Sequence, residues 1–219
     1  GDITAWQSRA DYDYVAGDAT RAYNSVLVND PEARPKISRF VRRMLFIKPS
    51  ILAVCDNVDA TDAAFGKTWL LHTVNEPRFE DNGSVTVREG KGQLILYPLF
   101  PEDVRLGKTG GPGKEFVVNG ENLPLSGGSY FGPPAQPGAW TVELSPGADR
   151  LQDLFVNVIE IGASGDAPGH SFRRVESPDL AGASAYTLAV LFTRDRDPQS
   201  AAGKRVVLPE GLPAGCRVY

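Results

Sequence analysis

The sequence predicts an all-β chain, an antiparallel β-sandwich of many short strands forming a single domain over residues 1–219. Three observations lead there. Gly and Pro are abundant, 23 and 17 of 219 residues, which favours turns over helical packing. No window shows sustained 3.6-residue apolar periodicity with caps. Short stretches rich in β-branched and aromatic residues recur instead, bounded by Gly, Pro, Asn or Asp, whose backbone preferences end a strand and turn the chain.

In chain order, strand composition appears at residues 3–9, 37–48, 50–58, 67–74, 84–89, 93–97, 115–118, 140–144, 154–161, 184–193 and 205–208. The first of these begins next to Gly1 and carries Trp6, so it is expected at a sheet edge or an intermolecular contact. Met44-Leu45-Phe46-Ile47 and Ile51-Leu52-Ala53-Val54-Cys55 are apolar on both side-chain alternations. That pattern predicts adjacent central strands covered on both faces, joined by a tight reversal at Lys48-Pro49-Ser50. Leu45, Ile47, Leu52, Val54 and Leu70 are expected in the core. Val85 and Val87 alternate with Ser84, Thr86 and Arg88 as in a half-exposed strand, and Glu89-Gly90-Lys91-Gly92 predicts a hairpin loop. Asn82-Gly83-Ser84 fits a glycosylation acceptor and, at least as well, a turn. The Gly- and Pro-rich stretch at about 107–138 is expected to be a long surface excursion holding one short strand near Phe116-Val117-Val118. No internal repeat or low-complexity tract interrupts the pattern.

The formal net charge of −4 gives no general attraction to phosphate backbones or anionic lipid. Neither nucleic acid nor a membrane is an expected partner, and no apolar run reaches the roughly 20 residues of a membrane-spanning helix. Two cysteines, Cys55 and Cys216, are too few for a disulfide framework. Cys55 lies within an apolar run, where a small buried thiol is expected; a bridge to Cys216 is left open.

Three pieces of the sequence carry a family resemblance: Tyr14-Val15-Ala16-Gly17-Asp18-Ala19-Thr20-Arg21-Ala22-Tyr23, then Arg43-Met44-Leu45-Phe46-Ile47-Lys48-Pro49, then Lys67-Thr68-Trp69-Leu70-Leu71-His72-Thr73. Together they resemble the C-terminal β-rich part of a heparinase II/III-like polysaccharide lyase, most specifically from about Tyr12 to Pro77. The resemblance implies a parent that cleaves uronate-containing polysaccharides, glycosaminoglycans or alginate, by β-elimination. It also implies a preceding helical toroid, with the catalytic tyrosine, histidine and asparagine or glutamate lying there and in the first strands of the following sandwich, and zinc as a possible cofactor of the parent. A periplasmic or secreted location goes with it. The family's His-x-His and His-Asn elements have no counterpart here, because the two histidines, His72 and His170, lie far apart. The chain is therefore expected to be a piece downstream of the chemistry, with no cofactor of its own, partnered by the toroid and by an acidic polysaccharide.

Elimination at a uronate needs a group that removes the C5 proton, one that protonates the leaving oxygen, and a neutraliser of the carboxylate. The catalytic candidates are His72, Tyr14 and Tyr23. Structurally, His72 reads as a core or interface histidine, and Tyr12 and Tyr14, which share a strand face, read as cross-strand packing. Arg39 and Arg43 share one alternation, Arg42 and Lys48 the other. The first pair, with Trp140, are candidates to bind substrate, against the alternative of solvated or cross-strand-paired arginines. Asp18 could join His72 at a metal or simply bond the turn it sits in, and no metal-ligand set is identified. Tyr130 and Phe131 flank the Gly/Pro-rich loops, where a ring could stack on a sugar. Gly107-Lys108-Thr109 resembles a phosphate loop but lacks its first Gly, since Glu102 stands there. Besides a supporting role within a lyase, a non-catalytic carbohydrate-binding module fits the same features.

Overall fold

A computed structural model describes residues 1–24, 34–118, 120–123, 138–194 and 207–219. Its strands are β1 (Asp2–Ser8), β2 (Tyr12–Asp18), β3 (Ile37–Ile47), β4 (Ile51–Ala60), β5 (Trp69–Thr73), β6 (Arg78–Phe79), β7 (Val85–Glu89), β8 (Gly92–Phe100) and β9 (Arg105–Gly110). They continue with β10 (Val117–Val118), β11 (Glu121–Asn122), β12 (Trp140–Ser145), β13 (Gln152–Ala163), β14 (Arg173–Glu176), β15 (Leu180–Ser184), β16 (Leu188–Thr193) and β17 (Arg217–Val218). A single helical turn, α1 (Thr20–Tyr23), follows β2. The chain is all β, and no helix among the described residues is long and apolar enough to cross a membrane.

One sheet organises the molecule. Its eight strands run in the order β1-β2-β3-β4-β13-β8-β7-β6, and smaller sheets β5-β12-β9 and β14-β15-β16-β17 supply two further layers. On one face of the large sheet, Leu45, Ile47, Ala53, Cys55 and Val158 pack against Ala181, Leu188, Val190 and Phe192 of the four-stranded sheet. On the other face, Leu96, Phe155 and Ile159 pack against Trp69, Val142 and Leu144 of the three-stranded sheet. This double cover is why β3 and β4 are apolar on both alternations. Their junction is the expected reversal, with Ile47 paired to Ile51. Gly90, at φ 53°, turns the β7–β8 hairpin, a backbone that glycine adopts at low cost.

Several expectations need correction. Leu45, Ile47 and Val54 are buried, but Leu52 is half-buried and Leu70 is 49% exposed. On β5 it is Trp69 and Thr73 that turn inward, so Leu70 falls on the outer face of its sheet. Ser84 and Thr86 are buried along with Val85 and Val87, and in β7 only Arg88 and Glu89 are exposed; β6 pairs beyond β7, which makes β7 an inner strand of its sheet. Tyr12–Asp18 forms a full strand between β1 and β3, hidden in the sequence by its Gly-Asp pair. The segment 184–193 holds the turn between β15 and β16.

The Gly/Pro-rich excursion starts later than expected, since Arg105–Gly110 is the strand β9, bonded to β12. Glycine is needed there for close approach: a Cβ at Gly110 would lie 2.8 Å from Trp140 Cδ2 and 2.4 Å from the Ala139 carbonyl. The short strand near Phe116 is present as β10, paired with β11. Residues 119 and 124–137 of that stretch, Tyr130 and Phe131 included, lie outside the described residues, as do 205 and 206 of the last expected strand. Val207 and Leu208 are not in a strand.

Candidate functional site

A groove of about 580 Å³ opens where β1–β3 of the large sheet meet β16 and β17. Alternation sends Tyr12 and Tyr14 of β2 to the same side as Leu45 and Arg43 of β3, and all four line it. The opposite wall is Phe192 of β16 with Arg217 and Tyr219 at the end of the chain. That wall exists because β17 pairs parallel to β16, Leu188 with Arg217 and Ala189 with Val218. Tyr219 then donates its backbone N–H to the Ala189 carbonyl at 2.9 Å.

Aromatic rings and arginines set the groove's chemistry. Tyr12 and Tyr219 meet edge to face, with centroids 6.0 Å apart. Tyr12 Oη donates to Gln7 Oε1 at 2.6 Å. Arg217 lies over the Tyr219 ring at 5.1 Å and pairs with Asp11 at 2.7 Å. Burial pushes the Tyr14 phenol above its ordinary range, with the Arg43 charge opposing. At neutral pH Tyr14 is therefore a protonated phenol, equipped to donate a hydrogen bond or a proton rather than to take one.

Arg43 is only 3% exposed. Its Nη1 donates to the Thr193 carbonyl at 2.9 Å and to the Thr193 hydroxyl at 3.1 Å, and its Nη2 donates to Cys55 Sγ at 3.3 Å and to Asn57 Oδ1. Phe192 packs on the guanidinium at 5.6 Å. Arg43 is thus a tie between layers that reaches the groove floor. Arg39 shares its face but is half-buried and does not line the groove, so the two form no joint patch.

The other candidates lie elsewhere. Tyr23, at the end of α1, meets Phe40 edge to face at 4.9 Å, and Phe40 and its neighbour Arg42 belong to a slot separate from the Tyr14 groove. Asp18 accepts from the Thr20 backbone N–H at 2.8 Å, the turn role. His72 is exposed on the outer face of β5, with Nδ1 3.1 Å from Thr141 Oγ1, and is not a core histidine. Trp140, half-buried on β12, packs on Gly110 and Gly111 with the Lys108 ammonium 5.7 Å from its ring. Among the described residues, no three His, Cys, Asp or Glu side chains are grouped to hold a metal ion. Cys55 and Cys216 are both free thiols.

Arg217, Tyr219 and Phe192 escape sequence reading. A parallel pairing brings the chain's end beside β16, and no local pattern announces it.

No protein-family model matches the chain, and no curated protein matches it. Solved structures do. Heparan sulfate lyase HepC from Pedobacter heparinus is 15% identical, with a TM-score of 0.55 over 89% of this chain and 28% of that one. A heparinase III with methylated lysines is 11% identical, with a TM-score of 0.55 over 87% of this chain and 27% of that one. A further heparinase III gives 10% identity and a TM-score of 0.52 over 87% and 26%. The chain spans little more than a quarter of the length of each. At these identities the likeness is one of fold: the chain is folded like the β-sandwich part of heparinase III lyases.

Proposed function

We propose that this chain is the C-terminal β-sandwich of a heparinase II/III-like polysaccharide lyase, where it supports the parent's helical domain and walls one side of the substrate path. The single observation that carries this reading is the fold shared over 87–89% of the chain with heparan sulfate and heparinase III lyases. The parent would act on an acidic polysaccharide, glycosaminoglycan or alginate, in the periplasm or outside the cell, removing the C5 proton of a uronate and breaking the glycosidic bond. The groove suits a wall. Tyr12, Tyr14 and Tyr219 offer rings and hydroxyls to a sugar, and Arg217 offers a guanidinium that can hold a carboxylate or sulfate through two parallel bonds.

Titration of the 219-residue chain with a heparan sulfate tetrasaccharide, followed by NMR of ring-labelled tyrosines, tests this. The Tyr12, Tyr14 and Tyr219 signals are expected to move at millimolar sugar and to stop moving in Arg217→Ala. Groove signals that stay fixed at saturating sugar overturn the reading.

A further inference from the structure

A second slot opens on the face of the large sheet opposite the tyrosine groove. Arg42 and Arg43 are consecutive on β3, so they project to opposite sides. Where Arg43 is sealed between layers, Arg42 opens into a slot of about 360 Å³ between β3–β4 and the start of β5. Its Nε and Nη2 bind the two oxygens of buried Asp56 at 2.8 and 2.6 Å. A guanidinium has five N–H donors, and this pair fixes the plane in which the others are presented.

Three further features point to a ligand. The slot is rimmed by exposed rings, Tyr23 at the end of α1 and Phe65 in the loop before β5. Trp69, which also lines it, is only 7% exposed, and its buried indole N–H has no hydrogen-bond partner. A buried donor without an acceptor is unfavourable unless something supplies one. Of the charged side chains lining the slot, Arg42 is paired with Asp56 and Lys67 with buried Asp153 at 3.1 Å, so Lys36 adds a positive charge that neither carboxylate offsets.

We infer that this slot is a binding subsite for one anionic sugar unit. The sugar's apolar face would lie on Tyr23 and Phe65, its carboxylate or sulfate on Arg42, and an oxygen on the Trp69 indole N–H. The inference rests on the polysaccharide reading above but places the contact on the other face of the sheet, at residues that do not touch the tyrosine groove.

The test is NMR of the indole N–H signals, assigned with Trp6→Phe and Trp140→Phe variants, during titration with a tetrasaccharide of alternating glucuronate and N-acetylglucosamine. The Trp69 signal is expected to move saturably. Tyr23→Ala, an exposed change that leaves the fold intact, and Arg42→Gln should each weaken the response at least about tenfold. Neutral maltotetraose should leave it fixed. A fixed Trp69 signal alongside moving groove tyrosines overturns the subsite and leaves the polysaccharide reading standing; signals fixed at both places overturn both. Equal shifts with maltotetraose, or Tyr23→Ala and Arg42→Gln responses equal to the unmodified chain's, also overturn the assignment.

Discussion

Arg43 of β3 and Thr193 of β16 are joined by two hydrogen bonds, from Nη1 to the Thr193 carbonyl at 2.9 Å and to its hydroxyl at 3.1 Å. The residues are 150 positions apart, and the contact fastens the four-stranded sheet to the large one beside the tyrosine groove. Arg43→Met keeps much of the packing volume but leaves the Thr193 carbonyl and Asn57 Oδ1 without their donor. The expected loss is about 2–4 kcal/mol, measured as a shift of the urea midpoint at constant m-value. Arg43→Lys should recover only part of it, because an ammonium cannot reproduce the planar fork.

Burial predicts a gradient of truncation costs among the apolar positions. Leu96 is fully buried and Leu70 is half-exposed. Leu96→Ala should therefore cost about 2–5 kcal/mol and Leu70→Ala within about 0.5 kcal/mol. Leu52→Ala, at a half-buried site packed against the second core, should fall between them. Equal effects at Leu96 and Leu70 in denaturant melts would contradict the placement of β5.

Asn157, at the centre of β13, is fully buried, and neither atom of its side-chain amide has a hydrogen-bond partner. Replacing it by the similarly shaped Leu removes two unsatisfied groups from the interior. Asn157→Leu is expected to stabilise the chain by about 1–2 kcal/mol, seen as a raised midpoint in urea. A loss of stability would show that the amide is bonded in solution.

Burial pushes the Cys55 thiol up to about 12, while the charge of Arg43 works the other way. An unfolded thiol ionises near about 8.5, so between about 8.5 and 12 the unfolded chain has released a proton that the folded chain retains. The stabilising contribution is full below that window and declines as pH rises through it. Cys55→Ala should flatten the decline in urea-derived stability above pH 9. In the native state a thiol reagent should modify Cys216, which is partly exposed, and reach Cys55 only on unfolding.

The fold class was legible because strand residues and turn residues alternate along the chain, and the double-sided apolar runs of β3 and β4 announced a sheet covered twice. Trp6 also stands as expected, 76% exposed on edge strand β1. What sequence could not resolve was phase and partnership. Leu70 and Trp69 differ by one position, and only the pairing of β5 with β12 decides which of them faces in. Of the groove, alternation showed that Tyr12 and Tyr14 stand together. It could not show that Tyr219 meets them, or that Arg43 is held by Thr193 from another sheet. Alternation put Arg42 on the face opposite Arg43, but could not show that buried Asp56 holds it at the mouth of a separate slot.

As proposed, this sandwich walls a lyase site whose full acid, base and carboxylate-neutralising set it does not itself contain. The direct measurement is ultraviolet absorbance of newly formed unsaturated uronate during incubation of the 219-residue chain with heparan sulfate, chondroitin or alginate. No rise above the buffer rate is predicted. A sustained rise that disappears in His72→Ala or Tyr14→Phe would contradict the claim and place a complete catalytic set within these residues.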